Sequence, residues 1–187
     1  LCLAHISGLQ DYAYKNKLDI HNCYKYILTG KKNKNKVKEE LKKVDKINQK
    51  VSLLSSESIA WIGEDTQSDH SKLPLLIDKN SERIFELFNK RFNKIVIIIV
   101  IRNQKELCPS IYKETLKVMR LPNYDDWIKK ILTKNAVEKS FLNFNKQINK
   151  YQKLFGKKNV KVLLYEDLLH DQDYFFNQLS KIFNTTK

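Results

Sequence analysis

"KIVIIIVIRNQKELCPSIYKETL", residues 94–116, sets seven apolar residues in a row and then places an arginine, Arg102. An apolar run without polar alternation suits a strand covered on both faces, and such strands belong to parallel sheets flanked by helices. Beyond Arg102 the spacing becomes helical, with Leu107, Ile111, Leu116 and Met119 set among charged residues. A strand handing over to a helix is the repeating piece of an α/β fold.

Working outward, "VSLLS" (51–55) and "VKVLLY" (160–165) are two further strand candidates. "SERIFELFNKRF" (81–92) spaces Ile84, Leu87, Phe88 and Phe92 as on a helix, with Ser81 in the N-cap region. The stretch 124–155 reads as one or two helices, packed through Trp127, Ile128, Ile131, Phe141, Phe144, Ile148, Tyr151 and Phe155. "DYFFNQLSKIF" (173–183) reads as a closing amphipathic helix with Phe175, Phe176, Leu179, Ile182 and Phe183 inward. In the basic segment 31–50, Val37, Leu41, Val44 and Ile47 form a narrow stripe. This predicts a solvated helix on which Glu39 and Glu40 pair with nearby lysines, the other reading being a polyanion-binding helix.

The 187 residues, 42% of them hydrophobic, suffice for one buried core. With 4 glycines and 3 prolines, no linker divides the chain, so a single α/β domain over 1–187 is expected. Lys+Arg exceeds Asp+Glu by 35 to 21, a formal charge of +14. Such a field favours nucleic acid, acidic membrane surfaces or small anions without choosing among them. No base-reading or base-stacking motif accompanies it, so a specific nucleic-acid partner is not expected.

Cys2, Cys23 and Cys108 form no CxxC pair, which predicts reduced thiols and a cytoplasmic setting. No run approaches the roughly 18 apolar residues of a membrane span, and "LCLAHISGLQ" has no leader pattern. His5, His21, His70 and His170 show no metal spacing, and the polar stretch "GEDTQSDH" (63–70) fixes no ligand geometry, so no metal is expected. The sequence carries no sign of oligomeric state.

In an open α/β sheet, ligands sit beyond the carboxyl ends of the strands. Arg102 stands at such an end, in a chain with 31 lysines and only 4 arginines. A planar, permanently charged fork suits bidentate binding of phosphate in a way that lysine does not. Ser110 follows eight positions later, where the beginning of a helix would add a hydroxyl and N–H groups for one anion. The plainer alternative pairs Arg102 with a structural carboxylate.

"IVIRNQKELCPSIYK" resembles the 3′-phosphate-binding segment of the PAPS-dependent sulfotransferases, in which a strand ends in Arg and a Ser follows eight residues on. Arg102 and Ser110 match both positions. "VKVLLYEDLLHDQDYFFNQLSKIFN" is similar to that family's late strand, its Tyr-Glu-Asp-Leu signature and the next helix. The resemblance makes Tyr165 an adenine contact and gives Glu166 and Asp167 the tasks of holding the turn and capping the next helix. "VSLLSSES" is similar to the Leu-Ser-Ser-Glu of many bacterial-type members, which carries over to Ser55 and Ser56 facing the sulfuryl group and to Glu57 as the base. A base is needed because an acceptor hydroxyl is a poor nucleophile near neutral pH, and a positioned carboxylate typically contributes about 10²–10⁴-fold.

The resemblance implies a P-loop NTPase-like architecture, a mainly parallel sheet flanked by helices, and sulfuryl transfer from PAPS to a hydroxyl or amine of a small molecule or glycan. It also implies a glycine- and serine/threonine-containing loop for the 5′-phosphosulfate. Gly8 and Gly30 are the early glycines, and neither follows an apolar strand. The first βα unit is therefore expected upstream of Leu1. A catalytically inactive relative and another P-loop-type, kinase-like nucleotide binder stand as alternatives.

Overall fold

The computed structural model describes residues 2–4, 23, 26, 27, 30, 33–46, 53–55, 73–117, 120–132 and 142–183. Four strands, β1 (Cys2–Ala4), β2 (Leu53–Ser55), β3 (Val96–Ile101) and β4 (Val160–Leu164), form one sheet in the order β2-β1-β3-β4. β1 runs parallel to both neighbours, with Ala4 level with Ser55 on one side and Ile98 on the other. Parallel neighbours need crossover connections, and these contain α1 (Lys34–Asp45) between β1 and β2 and α2 (Leu73–Phe88) between β2 and β3. After β3 come α3 (Gln104–Leu116), α4 (Tyr124–Ile131) and α5 (Phe144–Phe155). α6 (Tyr165–His170) and α7 (Gln172–Phe183) follow β4.

The α/β class expected from the sequence is the class observed. β1 was not legible in the sequence, and its presence means that Gly8 does follow a strand. β3 is buried over Val96–Ile98 and half-buried from Ile99 onward, so the double cover expected for the whole run thins out toward Arg102.

The chain forms two compact units, Leu1–Ile99 with Asn145–Lys161, and Val100–Phe144 with Val162–Lys187. In the first, α1 turns Val37, Leu41 and Val44 inward, a four-three spacing that keeps one face of a helix. They join Ile84, Leu87 and Phe88 of α2, Tyr151 and Phe155 of α5, and Ile95 and Ile97 in one core. Ser81 is not a cap: α2 begins at Leu73, because Pro74 fits a helix's first turn, and this leaves Ser81 fully buried inside the helix. Glu40 does not belong to the solvated face either. It is 5% exposed, and its Oε2 accepts from the backbone N–H of Cys23 at 2.7 Å.

Arg83 crosses the same unit, donating from Nη1 to the Ile27 carbonyl at 2.8 Å and to Asn80 Oδ1 at 3.4 Å. Gly30, at φ +73°, makes room for it, since a Cβ there would lie 2.4 Å from the guanidinium. Tyr26 donates to the Glu86 carboxylate, and burial followed by this bond pushes its phenol up to about 12. Burial does the same to Tyr151, also to about 12. The Lys150 ammonium, 2.6 Å from Glu82, lowers that carboxyl's pKa.

The second unit buries Leu107, Cys108, Leu142, Leu163, Phe175 and Leu179. Phe176 is 41% exposed, against expectation, and Ile182 and Phe183 are half-buried. An aromatic group of Tyr112, Tyr124 and Trp127 joins α3 to α4, with ring centroids 5.2–6.0 Å apart.

Candidate functional site

Arg102 leaves the end of β3 one residue before Asn103, which organises the start of α3. The Asn103 carbonyl accepts from the N–H groups of Glu106 and Leu107, and its Oδ1 accepts from that of Lys105 at 3.0 Å. Those helix-end donors are thus taken within the protein. Ser110 is half-buried and sits more than one turn inside α3. α3 carries Pro109 in its interior, at the loss of one helical hydrogen bond. Glu106 and Ser110, four apart, share one face of the helix.

The guanidinium of Arg102 lies with Cζ 4.9 Å from the centroid of the Tyr165 ring, a cation–π contact. Its Nη2 is 3.7 Å from Glu106 Oε2, with the two side chains 28% and 68% exposed. An ion pair that long and that wet contributes about 0–1 kcal/mol. Arg102 Nε is buried and has no hydrogen-bond partner among the described residues. A buried donor left unpaired costs about 1–3 kcal/mol, so an incoming anion at this nitrogen would remove a cost as well as add a bond.

Tyr165 is the first residue of α6, immediately after β4, and Glu166 and Asp167 occupy the first turn, where acidic groups suit the helix dipole. Glu166 Oε1 accepts from the Asn103 N–H at 2.7 Å, fastening the turn after β4 to the residue next to Arg102. Asp167 Oδ2 accepts from Gln178 Nε2 at 3.4 Å. Capping of α7 falls to Asp171, whose Oδ1 accepts from the Tyr174 N–H at 2.9 Å, and not to Glu166 or Asp167. The residues beside Arg102 that sequence reading missed are Asn103 and Glu106, whereas Glu166 holds the turn as the resemblance implied. Only Glu106 had a signal, an acid four residues after the arginine.

Ser55 is the last residue of β2, level with Ala4 in the sheet. Glu57, Ser56, His5, His21 and His70 lie outside the described residues. His170 is exposed at the end of α6. Among the described residues no three His, Cys, Asp or Glu side chains gather as a metal site. Cys23 and Cys108 are buried thiols, and burial raises the Cys108 thiol pKa.

A family model described as the sulfotransferase domain matches residues 10–185. The chain belongs to the sulfotransferase family. Among solved structures, a sulfotransferase from Alicyclobacillus acidocaldarius aligns over 99% of this chain and 80% of its own, at 10% identity and a TM-score of 0.59. At that identity the likeness is one of fold, and it agrees with the α/β architecture described above. No curated protein matches. Sulfuryl transfer is the general reaction of the family, and its members generally draw on PAPS. No described helix of this sulfotransferase is long and apolar enough to cross a membrane.

Proposed function

We propose that the chain takes part in transfer of a sulfuryl group from PAPS to a hydroxyl or amine of a carbohydrate or small-molecule acceptor, in a cytoplasmic setting. Arg102 takes the 3′-phosphate with its fork, and the Ser110 hydroxyl contributes from α3. Tyr165 supplies one ring to the adenine side and to the guanidinium, so that base and phosphate are read by touching residues. Ser55 serves the sulfate-bearing end of the cofactor, and Glu57 takes the proton of the acceptor. No metal is needed in this scheme, since the charge of the transferred group is met by positioned donors. One observation carries the reading: a buried arginine nitrogen with no hydrogen-bond partner, on a guanidinium held against Tyr165 at 4.9 Å.

A loop for the 5′-phosphosulfate completes the site. The strand seen at Cys2–Ala4, before Gly8, makes residues 5–10 the place to look for it. The test is transfer of label from radiosulfate-labelled PAPS to a mixed panel of sugars and phenols, run beside calorimetry with 3′,5′-ADP on the full-length protein. Transfer together with binding supports the proposal. Binding without transfer indicates the inactive relative, and absence of both contradicts the proposal.

A further inference from the structure

We infer that α1 is a docking surface for a linear polyanion and that this polyanion is an acidic polysaccharide, the choice of a sugar resting on the sulfotransferase reading. Lys34, Lys38, Lys42 and the C-cap residue Lys46 follow one another at intervals of four, and all are exposed. At about 1.5 Å of rise per residue they make a row about 18 Å long on one side of the helix. Lys36 and Lys43 are exposed beside it.

This arrangement works against its own helix. Like charges four apart repel, and the first turn holds lysines with no acid to offset the positive end of the dipole. The helix's acids do little to relieve the row. Glu40 is turned inward to the Cys23 N–H, and Asp45 lies 3.3 Å from Arg91 Nε. Glu39, the acid that remains exposed, stands three residues before Lys42 and four before Lys43 and offsets only part of the row's charge. Burial of Val37, Leu41 and Val44 holds the helix in place despite these charges.

Other described helices handle their charge differently. α4 places Asp125 and Asp126 in its first turn, α7 places Asp173 there, and Lys150 of α5 is bonded to Glu82. A chain molecule with regularly spaced anions would neutralise the row on α1. The row consists of ammonium point charges and carries neither a stacking aromatic nor an arginine fork, so it suits carboxylate- and sulfate-bearing sugars better than bases. Such sugars also carry the hydroxyls or amines that sulfuryl transfer needs.

The test uses the full chain, a heparin octasaccharide and a single-stranded oligonucleotide of equal charge. Their affinities are measured across a salt series for the wild type, for Lys38→Gln/Lys42→Gln, and for Lys129→Gln/Lys130→Gln as the control. The expected result is tighter binding of the octasaccharide than of the oligonucleotide. The α1 variant should weaken octasaccharide binding about 10-fold and lower its salt slope by about two charges, with the control close to wild type. Calorimetry with 3′,5′-ADP should be unchanged in both variants. Equal losses in the two variants, no loss, or equal binding of the oligonucleotide overturns the docking surface even if 3′,5′-ADP binds. Failure of 3′,5′-ADP to bind at all overturns the nucleotide reading instead.

Discussion

The two compact units divide apolar residues and candidate chemistry unequally. Every member of the continuous hydrophobic core, from Cys23 to Val160, lies in Leu1–Ile99 or Asn145–Lys161. Every exposed large hydrophobic residue among those described, including Leu116, Leu169 and Phe176, lies in the other unit. That second unit also contains Arg102, Ser110 and Tyr165. Regions that bind ligands tend to come from the less stable part of a fold, and the contrast gives that tendency a cause here. Arg102 has a buried Nε with no hydrogen-bond partner among the described residues and lies near an exposed carboxylate, an arrangement that a bound anion would relieve.

The contrast is tested most severely by removing one fully buried phenylalanine from each unit. Phe88→Ala should cost about 3–5 kcal/mol in chemical denaturation, with Phe88 1% exposed inside the large core. Phe175→Ala, from a side chain that is 0% exposed, should cost at least about 1 kcal/mol less, because it lies outside the continuous core and the gap can close more fully. Equal costs would break the distinction between the units.

A smaller effect is expected at the anchor beside Arg102. Glu166→Ala leaves the Asn103 N–H without its acceptor, at about 1–2 kcal/mol. If the bond positions Arg102, 3′,5′-ADP should bind about 5–30-fold more weakly. Glu166→Gln, which retains an acceptor oxygen, should restore most of that loss, whereas a role through charge alone predicts no rescue.

In the first unit the expected effect is confined to high pH. The folded values of Tyr26 and Tyr151, about 12, lie above the ordinary 10, so the folded state keeps these protons while the unfolded chain releases them. Their stabilisation is therefore whole below pH 10 and is lost as pH rises from 10 toward 12. Tyr151→Phe should flatten that alkaline loss while leaving the acid limb of the stability curve unchanged, as read by thermal melts across pH. Least of all, Leu169→Ser should change stability by no more than about 0.5 kcal/mol, as for an exposed position.

Legibility in the sequence followed periodicity. β3, α5 and α7 were readable because seven apolar residues in a row or a clear helical stripe leave few alternatives. β1 was not, since three residues carry no period and its identity comes from pairing on both sides. The start of α2 was misplaced because Ser81 looked like a cap, whereas the helix begins at Leu73 with Pro74 in its first turn. The burial of Glu40 depends on a backbone N–H seventeen positions away, which no local pattern can signal. At the site, Arg102 stood out by composition and Tyr165 only through the family resemblance. Their contact, and the bond from Asn103 to Glu166, join segments 63 residues apart and needed the fold to be seen.

The central claim is that Arg102 reads a 3′-phosphate. Calorimetry with 3′,5′-ADP and with 5′-AMP, which lacks that phosphate, on the wild type and on Arg102→Ala tests it directly. The wild type should prefer 3′,5′-ADP, and the variant should lose about 2–3 kcal/mol of that preference, roughly 30–150-fold, while unfolding at an unchanged midpoint. A preference that survives the substitution, or a wild type that binds both nucleotides equally, would contradict the claim.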